Sequence, residues 1–223
     1  MSTSPADPAR YNSFLTDLLG VMAYGELSAF ERLSSDARYS PSLHDRAVLG
    51  RIAVIEFQHY ELVSAKLDAM GLDVEAAMLP FQPSVDHFHE RTRPADWYES
   101  LMKAYVIDTV TADFYRAVSW DVDADTRALV EQIQAHEGAT AALRERLKAA
   151  LADDPRLASR LSLWARRLIG EALTQAQWVG FEHAFVGGLA GAEDTRSKEK
   201  VRGLMAELAA DHSRRMTQLG LAG

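Results

Sequence analysis

The chain has the size and composition of an ordinary globular protein. Its 223 residues are 48% hydrophobic and 25% charged, which excludes a disordered chain and a collagen-like repeat. It contains no cysteine, so thiolate catalysis, iron–sulfur clusters and cysteine-based zinc sites are excluded. The net charge of −8 disfavours a surface that attracts polyanions as a whole. The sequence shows neither a membrane-length apolar run nor a signal-peptide pattern, so we expect a cytoplasmic protein with no membrane partner.

Hydrophobic periodicity predicts an all-α protein. Apolar residues recur with helical spacing through six long segments, and no segment has the alternation of a strand. The predicted helices are 8–36, 42–70, 94–120, 124–151, 155–183 and 194–219. We expect a single domain over residues 1–223, with a core bundle at about 8–151 and a C-terminal helical hairpin at about 155–219.

A long connection separates the second and third predicted helices. Residues 72–93 contain Pro80 and Pro83, and we predict a loop over this range. Its two histidines, His87 and His89, are expected at the surface of a loop that packs over the bundle. A connection of this length can cross the whole bundle, so that helices two and three run parallel, as they do in ferritin-like four-helix bundles. The sequence therefore predicts a ferritin-like bundle with a long crossover.

Acidic residues interrupt the apolar faces of the first two helices. Glu26 lies on the same stripe as Met22 and Phe30, and Glu56 and His59 lie in the middle of the apolar face of helix two. A buried carboxylate without a partner costs several kcal/mol or takes up a proton. We therefore expect a cation beside these groups: a metal ion, an arginine or a protonated histidine.

Glu56 and His59 form a Glu-x-x-His pair on successive turns of one helix face. Carboxylate and imidazole ligands suit iron or manganese with open coordination positions. Glu26 and Glu56 are each 15 positions from Pro41, at the first turn, so both should lie roughly 22 Å from that turn. This register predicts a metal site in mid-bundle. The alternative is a hydrogen-bonded Glu–His pair beside a protonated glutamate.

The second half of such a site is less complete. Asp108 on helix three is level with His136 on helix four, and both are candidate ligands, whereas Asp113 has neighbours that look exposed. Ala139 stands where a ligand histidine would follow His136 by three residues, although Glu137 borders the same face. A second Glu-x-x-His motif is absent, and both a complete and a half-formed metal site stay open.

Two further polar residues interrupt the apolar stripes of the last two helices. They are Glu171 and His212. We expect a structural role for both, in which the two side chains pair where the helices pack.

Several segments together resemble the actinobacterial ferritin-like proteins grouped with the MiaE family of tRNA hydroxylases. They are Tyr24–Arg32, Glu56-x-x-His59, Phe88–Pro94, Lys103–Asp108, Leu163–Leu173 and His212–Gly220. MiaE is the diiron hydroxylase of methylthio-isopentenyladenosine in tRNA, and the resemblance implies its fold and its pair of oxygen-activating irons. It also implies that Glu26 and Asp108 each bind one iron, that Glu56 bridges them and that His59 is a terminal ligand.

These observations leave two functions open. The first is a diiron hydroxylase, with manganese as an alternative metal, that acts on tRNA or on a small-molecule substrate and receives electrons from a donor. The second is a non-catalytic ferritin-like bundle that binds one metal or none and serves as a scaffold or partner-binding protein. The altered fourth-helix motif and the acidic charge favour the second. A homodimer is expected of a bundle of this type.

Overall fold

The computed structural model describes residues 8–119, 122–135, 137–182 and 195–222, and over these ranges the chain is helical without strands. The elements are α1 (Pro8–Asp36), a 3₁₀ helix (Ala37–Tyr39), α2 (Leu43–Ala69), α3 (Val74–Met78), α4 (Gln82–Arg91), α5 (Trp97–Val118), α6 (Ala124–Gln134), α7 (Glu137–Asp153), α8 (Leu157–Glu182) and α9 (Thr195–Gln218). The all-α prediction is confirmed, but the fourth predicted helix is divided: α6 ends at Gln134 and α7 begins at Glu137.

The prediction of a loop over residues 72–93 is wrong, because this segment forms α3 and α4. The Asp73 carboxylate accepts the backbone N–H of Ala76 and so caps the start of α3. Phe81 is fully buried before α4, and Phe88 within α4 is 7% exposed. Burial of these two aromatic rings stabilises the packing of the segment on its neighbours, α1 and α8.

This segment nevertheless makes the predicted crossover. Ala77 of α3 lies against Gly20 of α1. Tyr24, one turn further along α1, donates a hydrogen bond to Asp86 of α4 at 2.8 Å. At the end of α1, Asp36 accepts a hydrogen bond from Ser100 at the start of α5. The segment that connects α2 to α5 therefore runs along α1, towards the C-terminal end of that helix. Because α1 is antiparallel to both, α2 and α5 run parallel.

Four of the described helices have a polar side chain at the N-cap position. Ser42, Asp73, Asp96 and Asp123 each accept the backbone N–H three residues further on. Each cap satisfies an N–H that has no partner within its helix. The cap at Ser42 fixes the short turn from which the register of α1 and α2 is counted.

The apolar core consists of two main clusters with a polar band between them. One cluster contains Leu19 and Val63, and the other contains Ile52. Glu56 and His59 lie between Ile52 and Val63 along α2. The candidate metal ligands are therefore flanked on both sides by side chains that exclude water.

The last two helices complete the bundle. Helices α8 and α9 pack against each other and against α5, as expected for a C-terminal hairpin added to the core. In the part of the chain that the structure describes, no helix is both long enough and apolar enough to cross a bilayer.

Candidate metal centre and cavity

Three predicted ligands converge between α1 and α2. His59 Nδ1 lies 3.4 Å from Glu26 Oε2 and 3.5 Å from Glu56 Oε2. One donor atom from each of the three side chains lies within 4.8 Å of the other two. Glu26 is 6% exposed and His59 is 5% exposed. The structure thus brings Glu26, Glu56 and His59 together at one level, as their equal spacing about the first turn predicts.

The electrostatics of this group show two carboxylates that share an imidazole. Burial raises the pKa of Glu26, the Glu56 carboxylate raises it further, and His59 opposes the shift. Burial alone would lower the pKa of His59, but its hydrogen bonds to Glu26 and Glu56 raise it to about 9. The metal-free group therefore retains protons that a bound cation would displace.

Asp108 of α5 lines the same cavity and lies close enough to Glu56 and His59 to interact electrostatically with both. Its Oδ2 accepts a hydrogen bond from Thr140 of α7 at 2.5 Å. Burial raises the pKa of Asp108 to about 6, with Thr140 opposing the shift and Glu56 adding to it. The predicted ligand His136 and the side chain of Glu137 lie outside the described residues. Of the candidates on this side, the structure therefore places Asp108 alone.

A buried phenol stands beside the carboxylates. A Cβ added at Gly25 would lie 3.3 Å from Tyr115 Oη, so the hydroxyl approaches the backbone of α1 next to Glu26. Burial raises the pKa of Tyr115 well above 10, and both nearby carboxylates add to the shift. Tyr115 therefore keeps its proton at neutral pH and supplies an O–H at this site.

A cavity of about 290 Å³ lies between the helices and contains the candidate ligands in its wall. This is almost twice the volume of the roughly 150 Å³ apolar cavity that admits benzene. Apolar side chains make up most of the wall: Val21, Ala29, Leu33, Ile55, Val85, Phe88, Ala104, Ile107, Val110, Phe114, Ile133, Leu173 and Leu208. The cavity can hold a small, largely apolar molecule against the candidate metal centre.

The opposite end of the cavity is basic. We define the basic end as Arg32, His89 and Lys103, with the Asp36 carboxylate beside them. Burial lowers the pKa of His89 to about 2, and that of Lys103 to about 7. The expectation that His89 lies at the surface is therefore wrong, because α4 turns this side chain into the cavity, whereas His87 is exposed.

Asp113 also differs from expectation. Its neighbourhood was expected to be exposed, but it is 8% exposed and lies 2.6 Å from Arg215 of α9 and 3.0 Å from Arg116. Packing of α9 against α5 covers this side of the helix. Asp113 is thus a structural ion-pair residue.

The predicted pair of Glu171 and His212 is not formed. Glu171 accepts a 2.8 Å hydrogen bond from Arg91 of α4. Both ring nitrogens of His212 are buried without a hydrogen-bond partner among the described residues. Burial and then Arg215 lower the pKa of His212 to about 4, so that its ring is neutral.

The donor set suits a first-row divalent metal. Two glutamates and one histidine provide the oxygen and nitrogen ligands that iron and manganese accept. A cation bound there would take the place of the protons that the raised pKa values of Glu26 and His59 retain. The residues therefore fit one ion at Glu26, Glu56 and His59. Asp108 is the described residue that would extend the site toward a second.

Antiparallel long helices joined by a crossover, with paired carboxylates inside, define a ferritin-like protein. Residues 9–193 match the sequence family described as "Ferritin-like domain, actinomycetes". The chain belongs to this family. The solved structure of "Protein 19 with aldehyde deformylating oxidase activity from Synechococcus" is similar, with a TM-score of 0.71 over 96% of this chain and 93% of that one. At 19% sequence identity this likeness shows the fold. No curated protein matches the sequence significantly.

Sequence reasoning missed several cavity residues. Lys103 and Asp108 are the only charged residues between Ser100 and Ala112. Lys103 therefore interrupts this stretch of uncharged residues just as Asp108 does. Arg32 follows Glu26 by six positions and carried no comparable signal, because an arginine near a helix end is ordinarily solvated.

Proposed function

We propose that this protein is a metal-dependent oxidase or hydroxylase of the ferritin-like class, with iron as its metal. The observation that carries the proposal is the convergence of Glu26, Glu56 and His59 in the wall of a mainly apolar cavity. Structural ion pairs do not need such a cavity, whereas a metal that acts on a substrate needs space beside it.

The chain would hold the metal with side chains from three helices. Glu26 of α1 and the Glu56–His59 pair of α2 would bind one ion, and Asp108 of α5 would extend the site to a second. When bound, iron supplies the activation of O₂ for attack on an unactivated carbon. Hydroxylation places one oxygen atom in a C–H bond and converts the other to water, which requires two electrons and two protons. An electron donor is therefore part of the proposal.

The surrounding residues would position the substrate and exclude water. The apolar wall holds a substrate against the carboxylates without offering competing hydrogen bonds. Tyr115 Oη, which remains protonated, is a hydrogen-bond donor next to Glu26. Glu26 itself is a buried carboxyl whose pKa burial raises and whose hydrogen-bond partners are His59 and Glu56.

The finer proposal concerns the substrate. The resemblance to the MiaE family implies hydroxylation of an isopentenyl group on tRNA, and the small apolar cavity would accommodate such a group. The net charge of −8 disfavours a polyanionic partner. We therefore favour a free small-molecule substrate, with tRNA as the alternative.

Metal loading combined with oxygen consumption tests the proposal. Protein loaded anaerobically with Fe²⁺ should retain it after desalting and should consume O₂ when a reductant is added. Glu56→Ala should lose at least 90% of both the retained iron and the oxygen uptake. The matched control is Glu61→Ala, since Glu61 is an exposed glutamate on the same helix. Iron retention that is low in the wild type and unchanged in Glu56→Ala would contradict the proposal.

One observation favours the second candidate function, a ferritin-like bundle without catalysis. Thr140 bonds to Asp108 on the side where a second metal would be bound, so α7 contributes a hydroxyl there. Retained iron without oxygen consumption would support this candidate.

A further inference from the structure

We propose that the basic end of the cavity binds the carboxylate of a medium-chain amphiphile whose apolar chain extends toward Glu26 and Glu56. The orientation of this ligand toward a metal rests on the proposed function. The anion site rests on the residues of the basic end alone. The ligand class is thus a monocarboxylate with an apolar tail.

Unsatisfied donors lie at this end. Arg32 Nε, an N–H donor, and His89 Nδ1, which donates in one of the two neutral tautomers, are buried and have no hydrogen-bond partner among the described residues. Lys103 is 6% exposed, and its ammonium donates one hydrogen bond to the Thr92 carbonyl at 2.9 Å. An ammonium has three N–H groups, so further donors remain. Buried donors of this kind ordinarily have partners, and a bound anion would provide them.

The net charge of the basic end favours a ligand with one negative charge. Arg32 contributes one positive charge in the cavity wall, Lys103 adds a second when it is protonated, below pH about 7, and Asp36 contributes one negative charge. Asp36 already accepts a hydrogen bond from Ser100. The remaining single positive charge matches a monoanion. A planar carboxylate also suits the geometry of a guanidinium.

The distance between the two ends sets the length of the ligand. Arg32 follows Glu26 by six residues on α1, which is about 9 Å along the helix axis. Lys103 precedes Asp108 by five residues on α5, which is about 7.5 Å. The wall between the two ends is apolar, with Ala29, Ile55, Phe88, Ala104 and Ile107. An eight-carbon chain spans such a distance and fits a cavity of about 290 Å³.

Calorimetric titration of the full chain tests this assignment, with octanoate as the probe and 1-octanol as its neutral counterpart. Wild-type protein should bind octanoate at least tenfold more tightly than 1-octanol. Arg32→Met should weaken octanoate binding at least tenfold and leave 1-octanol binding within twofold. Arg46→Met, which removes an exposed arginine of α2, should change neither. If Arg32→Met does not fold by circular dichroism, Lys103→Met makes the same test.

Two results would overturn the inference. The first is equal binding of octanoate and 1-octanol to the wild type, or a ratio that neither Arg32→Met nor Lys103→Met alters. The second is octyl phosphate binding more than tenfold tighter than octanoate, which would assign the site to phosphate esters. Titration with Mn²⁺ separates the two proposals. Octanoate binding without Mn²⁺ binding contradicts the proposed function alone, and Mn²⁺ binding without octanoate binding contradicts this inference alone.

Discussion

Thr140 of α7 donates a 2.5 Å hydrogen bond to the carboxylate of Asp108 on α5. Thr140 follows Ala139, which occupies the position where a second Glu-x-x-His motif would place its histidine. The hydroxyl engages one oxygen of Asp108, and burial raises the pKa of this carboxyl to about 6. Because Thr140 engages one oxygen of Asp108 and Asp108 lies outside the Glu26–Glu56–His59 group, we expect Asp108 to be the weaker metal ligand. This expectation makes the two sides of the candidate centre unequal.

We predict two classes of metal site from this inequality. Titration with Mn²⁺, followed by the electron paramagnetic resonance signal of the free ion, should show one tight equivalent and a second that binds at least tenfold more weakly. Asp108→Asn should abolish the second class and change the first by less than threefold. Thr140→Val should tighten the second class, because it frees an oxygen of Asp108. The control is Asp125→Asn, an exposed position on α6. A loss of the tight equivalent in Asp108→Asn would contradict this assignment.

The protons held by the ligand group predict a pH dependence. The pKa of Glu26 is raised above its ordinary value, and that of His59 is raised to about 9. Between pH 6.5 and 9 the folded metal-free protein therefore holds more protons than the unfolded chain, and this group loses stabilising free energy as the pH rises. The stability of Glu26→Gln relative to the wild type should increase over this range, as measured by urea unfolding. Glu61→Gln should show a constant difference.

The affinity for a metal should change with pH in the opposite direction to the stability. Because the cation displaces protons from Glu26 and His59, its affinity should rise with pH between 6.5 and 9. Calorimetry in buffers of different ionisation enthalpy measures the protons released. A release of zero protons would contradict the protonation of this group.

The fold and half of the candidate site could be predicted from the sequence because both depend on local pattern. Helical periodicity located the long helices. The capped turn at Ser42 kept α1 and α2 in a fixed register, so that counting from it placed Glu26 level with Glu56. Short-range rules suffice where two helices are joined by a few residues.

The rest depends on contacts between segments that are distant in sequence. Phe88 is buried and His89 is half-buried because α4 packs against α8 and α1, and nothing within residues 72–93 shows this. Asp113 pairs with Arg215 because α9 returns to α5. Such burial is a property of the assembled bundle, so periodicity within one helix could not reveal it.

Gly20 is predicted to be required for the packing of the crossover. A Cβ at this position would collide with the backbone carbonyl of Ala77 in α3, which cannot move as a flexible side chain could. Gly20→Ala should therefore destabilise the protein by roughly 1–3 kcal/mol, measured by urea unfolding. Gly50→Ala is the matched control. It lies inside α2 with open space around its Cβ, and should stabilise by about 0.5–1 kcal/mol. Equal effects of the two substitutions would show that α3 does not approach α1.

The contribution of Lys103 to the stability should change with pH in the opposite direction to that of Glu26. Burial lowers its pKa from 10.5 to about 7, so between pH 7 and 10.5 the unfolded chain holds a proton that the folded chain has released. The free-energy cost of burying the charged lysine has its full value below pH 7 and diminishes as the pH rises.

Lys103→Met removes that cost. Its stability relative to the wild type should therefore fall by on the order of 1–2 kcal/mol from pH 7 to pH 9. Urea unfolding at several pH values measures this slope, and the loss of the hydrogen bond to the Thr92 carbonyl adds a constant that leaves the slope unchanged. Lys148→Met, at an exposed lysine of α7, should give a difference that does not vary with pH. A flat difference for Lys103→Met as well would mean that the ammonium is solvated, and the basic end of the cavity would then have one fewer buried donor for an anion.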